Sequence, residues 1–140
     1  MTLNAHRASA EGTLQSAAAA AYPSVPVSFE SVPFNQPESA WMRVAIVDGR
    51  AYVANIGRGR QIDRHVGCVQ VDCLVPENTG TAAAIMMAEW AGGLFRLQNV
   101  ALSDGSTVRY RVPDVSNHGI QSGMFRCTMR VPYWRDEVPA

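Results

Sequence analysis

The stretch RHVGCVQVDCLVPENTGTAAAIMMAEWAGGLF, Arg64 to Phe95, spells a strand, a turn and a helix in succession. From Cys68 to Val75 the residues alternate. Val69, Val71, Cys73 and Val75 share one face, and Cys68, Gln70, Asp72 and Leu74 share the other. Pro76 removes a ladder donor and ends the strand, and Asn78 or Thr79 is placed to cap the helix that follows. Ala82, Ile85, Met86, Trp90, Gly93, Leu94 and Leu97 recur at helical spacing, which predicts one apolar stripe. The stretch carries no nucleophile–base pair, phosphate loop or metal cluster. It reads as a scaffold that presents surfaces.

Working outward, Thr2 to Tyr22 reads as an alanine-rich helix stopped by Pro23, with Leu3, Ala10, Leu14, Ala17 and Ala21 roughly on one side. Four prolines between Pro23 and Pro37 frame a short edge-like strand, Val27 to Glu30, and an extended loop through Val32 and Phe34. Trp41–Val47 and Ala51–Ile56 alternate around Asp48-Gly49, the signature of a two-residue hairpin turn. Gly57 to Arg64 follows as a mobile basic connection. Beyond the second helix, Asn99–Ser103 and Thr107–Val112 flank an Asp104-Gly105 turn. Pro113 to Gly123 reads as a loop, and Met124–Tyr133 as a closing strand before a frayed tail. The sum is α+β: a mainly antiparallel sheet with two helices packed on one face.

At 140 residues the chain has the length of a single domain, taken as residues 1–140. Twelve basic and twelve acidic residues give zero formal net charge, so the whole chain advertises no attraction to nucleic acid. Every basic residue is an arginine. A GC-rich coding sequence explains that, as does a use for bidentate contacts between subunits. Cys68, Cys73 and Cys127 are odd in number, lack CxxC spacing and lie in apolar strands, which predicts free thiols and folding in a reducing cytoplasm. No apolar run is long enough for a membrane span or a signal core.

Candidate chemistry is sparse. Arg58, Arg60 and Arg64 lie among glycines, but GxxxxGK[ST] is missing and nucleotide binding is rejected. His6, His65 and His118 are too scattered for a metal site, and the strand cysteines do not suit a hydrolase. No cofactor is expected. Arg109 and Arg111 alternate with Val108, Tyr110 and Val112, and Arg126 and Arg130 alternate with Phe125, Cys127, Met129 and Val131. If these strands pair, four arginines share one patch: a solvent face balanced by carboxylates, an ion-pairing surface between subunits or a DNA-facing wall, of which zero net charge favours the inter-subunit version over DNA. Trp90 falls on the helical stripe and is expected in the core. Trp41 opens a strand opposite Met42, Val44 and Ile46, so one side of it suits a helix and the other a partner. Tyr133 and Trp134 suit either an interface anchor or packing on the sheet edge.

Taken together, the order of several elements resembles the tail terminator family of long-tailed, siphovirus-type phages. These are the helix ending at Tyr22-Pro23, then Pro26 to Glu30, Ala40 to Val44, Arg64 to Val71, and Pro76 to Gly80 opening a helix that ends near Leu94-Phe95. The resemblance spans most of the chain. It implies a non-enzymatic α+β subunit, made in the bacterial host cytoplasm, that forms a hexameric ring at the head-proximal end of the virion tail. Implied partners are further copies of the chain, the tail-tube protein and a head completion protein. DNA is met only in passing through the lumen, and no membrane is involved. On that reading Phe34, Trp41, Arg58, Arg60, Arg64, Arg109, Arg111, Arg126, Arg130, Tyr133 and Trp134 are the interface candidates. A tail-tube or head–tail joining protein is the nearest alternative, and a small α+β hydrolase or ligand-binding domain a more distant one.

Overall fold

Asp63–Pro76, here β3, is the axis of the molecule because it is paired along both edges. The structure is a computed structural model that describes residues 2–30, 32–54, 59 and 61–138. In chain order the elements are α1 (Thr2–Ala21), β1 (Val27–Ser28), β2 (Trp41–Val53), β3, α2 (Ala82–Phe95), β4 (Asn99–Ala101), β5 (Thr107–Tyr110), β6 (Asp114–Gln121) and β7 (Met124–Glu137). The strands form one seven-stranded sheet in the order β1-β2-β3-β7-β5-β4, with β6 also paired to β7. Only the two-residue β1 runs parallel to its neighbour, so the mainly antiparallel α+β architecture holds.

Both helices lie on the same face. Val69, Val71, Cys73 and Val75 of β3 join Met42, Val44 and Ile46 of β2 and Cys127, Met129 and Val131 of β7 in one buried cluster. Ala10, Leu14 and Ala18 of α1 and Ala84, Met87, Ala88, Ala91 and Phe95 of α2 complete it. The alternation read in β3 is therefore the division between a helix-covered and a helix-free face. Gly12 of α1 has nothing within 4 Å of where a Cβ would stand. Gly12→Ala is expected to stabilise the protein by about 1 kcal/mol, since alanine restores helix propensity at no steric cost. A denaturant melt checks it.

Several boundaries differ from the sequence reading, each for a physical reason. Asp48-Gly49 is not a turn: β2 runs through it to Val53, with a register shift between Asp48 and Ala51. Asp48 is drawn sideways to Arg7 and Tyr133, and Gly49 lies 2.8 Å, measured from an ideal Cβ, from the Val66 carbonyl oxygen. The Asp-Gly pair thus makes a bulge within a longer arm. Residues 63 and 64, expected in a loop, already belong to β3.

The buried face of α2 is also rotated from the expected stripe. Ala84, Met87, Ala88, Ala91, Gly92 and Phe95 face the sheet, whereas Met86 and Leu97 are exposed and Trp90 is half-buried against Tyr22. Gly92 earns its place there, because a Cβ would stand 3.1 Å from Pro113. The helix begins at Ala82 after Thr81, with no side-chain cap, and Asn78 takes a left-handed turn conformation instead. Residues 114–121, expected as loop, form strand β6. It is joined to β7 by Ser122-Gly123, whose positive φ angles of 53° and 77° suit a primed hairpin turn. β7 continues past Tyr133 to Glu137, pairing with β3 along its whole length.

Candidate functional site

Register places the helix-free face row by row, since residues directly opposite in an antiparallel ladder point the same way. Across β2, β3 and β7 the rows are Trp41–Leu74–Arg126, Arg43–Asp72–Thr128, Ala45–Gln70–Arg130 and Val47–Cys68–Pro132. A further row runs Val66–Trp134–Arg109 across β3, β7 and β5. Among the described residues no helix covers these rows.

One end is closed and apolar. Trp41, Leu74 and Met124 form a second small cluster, with Phe34 packed on it at 5.2 Å from the Trp41 ring. The next row is held by a buried carboxylate. Asp72 accepts from Arg43 at 2.6 Å and 3.0 Å and from Thr128 at 2.7 Å. Although burial opposes ionisation most strongly, the hydrogen bonds from Thr128 and Arg43 outweigh it and hold the Asp72 carboxyl below the usual range. Arg130 donates to Gln70 at 3.0 Å.

The other end is open and cationic. Trp134 lies between Arg64, whose guanidinium carbon is 4.0 Å from the ring centroid, and Arg109, at 5.1 Å. Arg64 is oriented by a two-point hydrogen bond to Asp136. Beside this stack runs a trough of about 550 Å³ lined by Val66, Gly67, Arg111, Pro132, Tyr133 and Trp134. The Arg111 amide donates to the Pro132 carbonyl at 2.8 Å, fixing that residue at the rim. Among the described residues Arg109 and Arg111 form no salt bridge.

The sequence-level candidates separate as follows. Arg64, Arg109, Arg111 and Trp134 come together at the trough; Phe34 and Trp41 meet at the opposite end. Arg126 and Arg130 sit along β7 at four-residue steps from Trp134, so the arginines form a row rather than one patch. Tyr133 points to the helix-covered side, where it is buried and donates to Asp48 at 2.9 Å. Arg58 and Arg60 lie outside the described residues. Sequence reasoning missed Val66 and Pro132 as trough walls, and also the exposed Val47 and Tyr52 on β2. Carrying the strand alternation upstream of Cys68 would have found Val66. Among the described residues no cluster of three metal-ligating side chains occurs, and no helix is long and apolar enough to cross a membrane.

Among the described residues, seven strands carrying two helices on one face, with the other face free of helices and bearing an arginine–tryptophan trough, define an α+β sheet protein. The family model described as phage tail terminator protein matches residues 6–133, and the chain belongs to that family. Its family is one of structural virion components that engage tail and head parts. A solved structure, 22% identical, aligns over 100% of this chain and 99% of its own length with a TM-score of 0.75, a likeness of fold. No curated protein matches the chain.

Proposed function

We propose that the chain, acting as a single domain, assembles into a hexameric ring on the head-proximal end of the tail tube. Binding there buries the surface the next tube ring would use, so polymerisation stops by occlusion. The opposite rim of the ring then offers a docking surface to head completion proteins, and DNA passes through the lumen. No bond is made or broken. The observation that carries this reading is the family match over residues 6–133. The helix-free sheet face with its open trough supports it, because ring subunits need heterologous surfaces that close by rotation.

Deleting the gene from the phage that encodes the chain is the test. Electron micrographs are expected to show abnormally long tails without heads. Tails of normal length joined to heads would reject the proposal.

A further inference from the structure

We infer that the trough beside Trp134 receives residues 32–38 of a neighbouring copy of this chain, forming the head-to-tail contact of the ring. This rests on the ring-capping reading above and names the surfaces that would build it.

The trough and the segment complement one another. The trough has an apolar floor of Val66, Pro132 and Trp134, Arg111 on its rim and Arg109 beside it on the Trp134 ring, and neither arginine has a carboxylate partner among the described residues. The segment Val32-Pro33-Phe34-Asn35-Gln36-Pro37-Glu38 lies outside helix and strand and is proline-bearing, and its only charge is Glu38. Val32 is 59% exposed, Glu38 is also exposed, and Glu38 has no salt bridge among the described residues. Phe34 anchors the segment on Trp41, so it is held out in one conformation before any partner arrives. Proline-bearing extended segments dock on aromatic-lined grooves because little conformational entropy remains to be lost. A carboxylate at one end meeting two uncompensated guanidiniums sets the direction of docking.

A chain cannot fill its own trough. The segment sits on the Trp41–Leu74 row and the trough on the Val66–Trp134 row of the same face. Eight residues of β3 separate Val66 from Leu74, roughly 26 Å of strand. A second copy displaced along the face satisfies both ends at once, and repeating that displacement with a rotation closes a ring.

The test uses charge reversal in phage lacking its own gene. Glu38→Arg alters an exposed loop residue and is expected to leave the melting temperature unchanged while tails grow overlong. Arg109→Glu with Arg111→Glu is expected to give overlong tails as well, with a small drop in melting temperature from loss of the Arg109–Trp134 stack. Combining all three reversals in one chain restores the attraction, and tail length is expected to return to normal. In a Cys68→Ser background, Val32→Cys with Val66→Cys is expected to give disulfide-linked oligomers when assembled tails are oxidised. Normal tails from Glu38→Arg, failure of the folded triple variant to regain length control, or absence of the cross-link would each overturn the inference. Normal tails on gene deletion would instead reject the ring-capping reading itself.

Discussion

Gly67→Ala is expected to destabilise the protein by about 3 kcal/mol or more, lowering Tm by roughly 10 °C. Gly67 lies in β3 opposite Asp48 of β2 and Tyr133 of β7. A Cβ there would meet the Val47 carbonyl oxygen inside any normal contact distance and would stand 2.7 Å from the Tyr133 hydroxyl. The first obstacle is backbone, which cannot swing aside as a side chain can. The second is pinned, because Tyr133 donates to Asp48, which also accepts from Arg7. Relief therefore requires β2 to separate from β3 at the bulge, or Tyr133 to leave its partner. Thermal unfolding of the variant beside Gly12→Ala makes the comparison direct. Two Gly→Ala changes should move stability in opposite directions, and a Gly67→Ala protein as stable as the parent would refute the packing argument.

That bulge also shows where sequence stops being informative. Asp48-Gly49 carries a strong local signal for a two-residue turn, yet Arg7, 41 positions away, and Tyr133, 85 positions away, hold Asp48 within a continuing strand. No window of neighbouring residues contains those partners. β3 was legible for the opposite reason: its apolar set alternates without interruption, and only one register buries Val69, Val71, Cys73 and Val75 together. α2 was legible as a helix but not in orientation. It is apolar nearly all round, so periodicity cannot choose a face. The sheet selects the side with Ala84, Ala88, Ala91 and Gly92 between Met87 and Phe95, and at Gly92 a side chain would crowd Pro113 and Met129. β6 escaped notice because its residues are almost all exposed, and its strand conformation comes from pairing with β7 rather than from burial.

The candidate surface was half visible on the same terms. Alternation assigned Arg109, Arg111, Arg126 and Arg130 to a side opposite the core. Pairing then decided which of them meet: β5 joins β7 only at Tyr133–Asp136, which brings Arg109 to Trp134 and leaves Arg126 and Arg130 further along the strand. Composition hinted at arginine used for two-point contacts between subunits. Within the chain Arg64 makes such a contact with Asp136 and adds a stack on Trp134. A lysine there would keep the charge but lose the planar stack and the second hydrogen bond.

Lowering the pH from 6.5 to 4 is expected to remove about 3 kcal/mol of stability through His6 alone. His6 is fully buried in α1, its ring centroid 4.2 Å from that of Tyr133, and its Nε2 is 3.0 Å from the Tyr110 hydroxyl. Its Nδ1 is buried with no hydrogen-bond partner among the described residues. A neutral imidazole can leave that nitrogen bare, but the imidazolium must place an N–H there with nothing to accept it. Burial, aided by the nearby Arg135 charge, lowers the His6 pKa from 6.5 to about 4. The unfolded chain therefore binds a proton between pH 6.5 and 4 that the folded chain refuses, and stability falls as the pH drops through that window. His6→Phe keeps a ring against Tyr133 and cannot titrate. It is expected to be less stable at pH 7, having lost the Tyr110 bond, yet to lose less stability than the parent between pH 6.5 and 4. Denaturant melts of both proteins across that range decide the matter, and parallel pH profiles would show that His6 is not the group responsible.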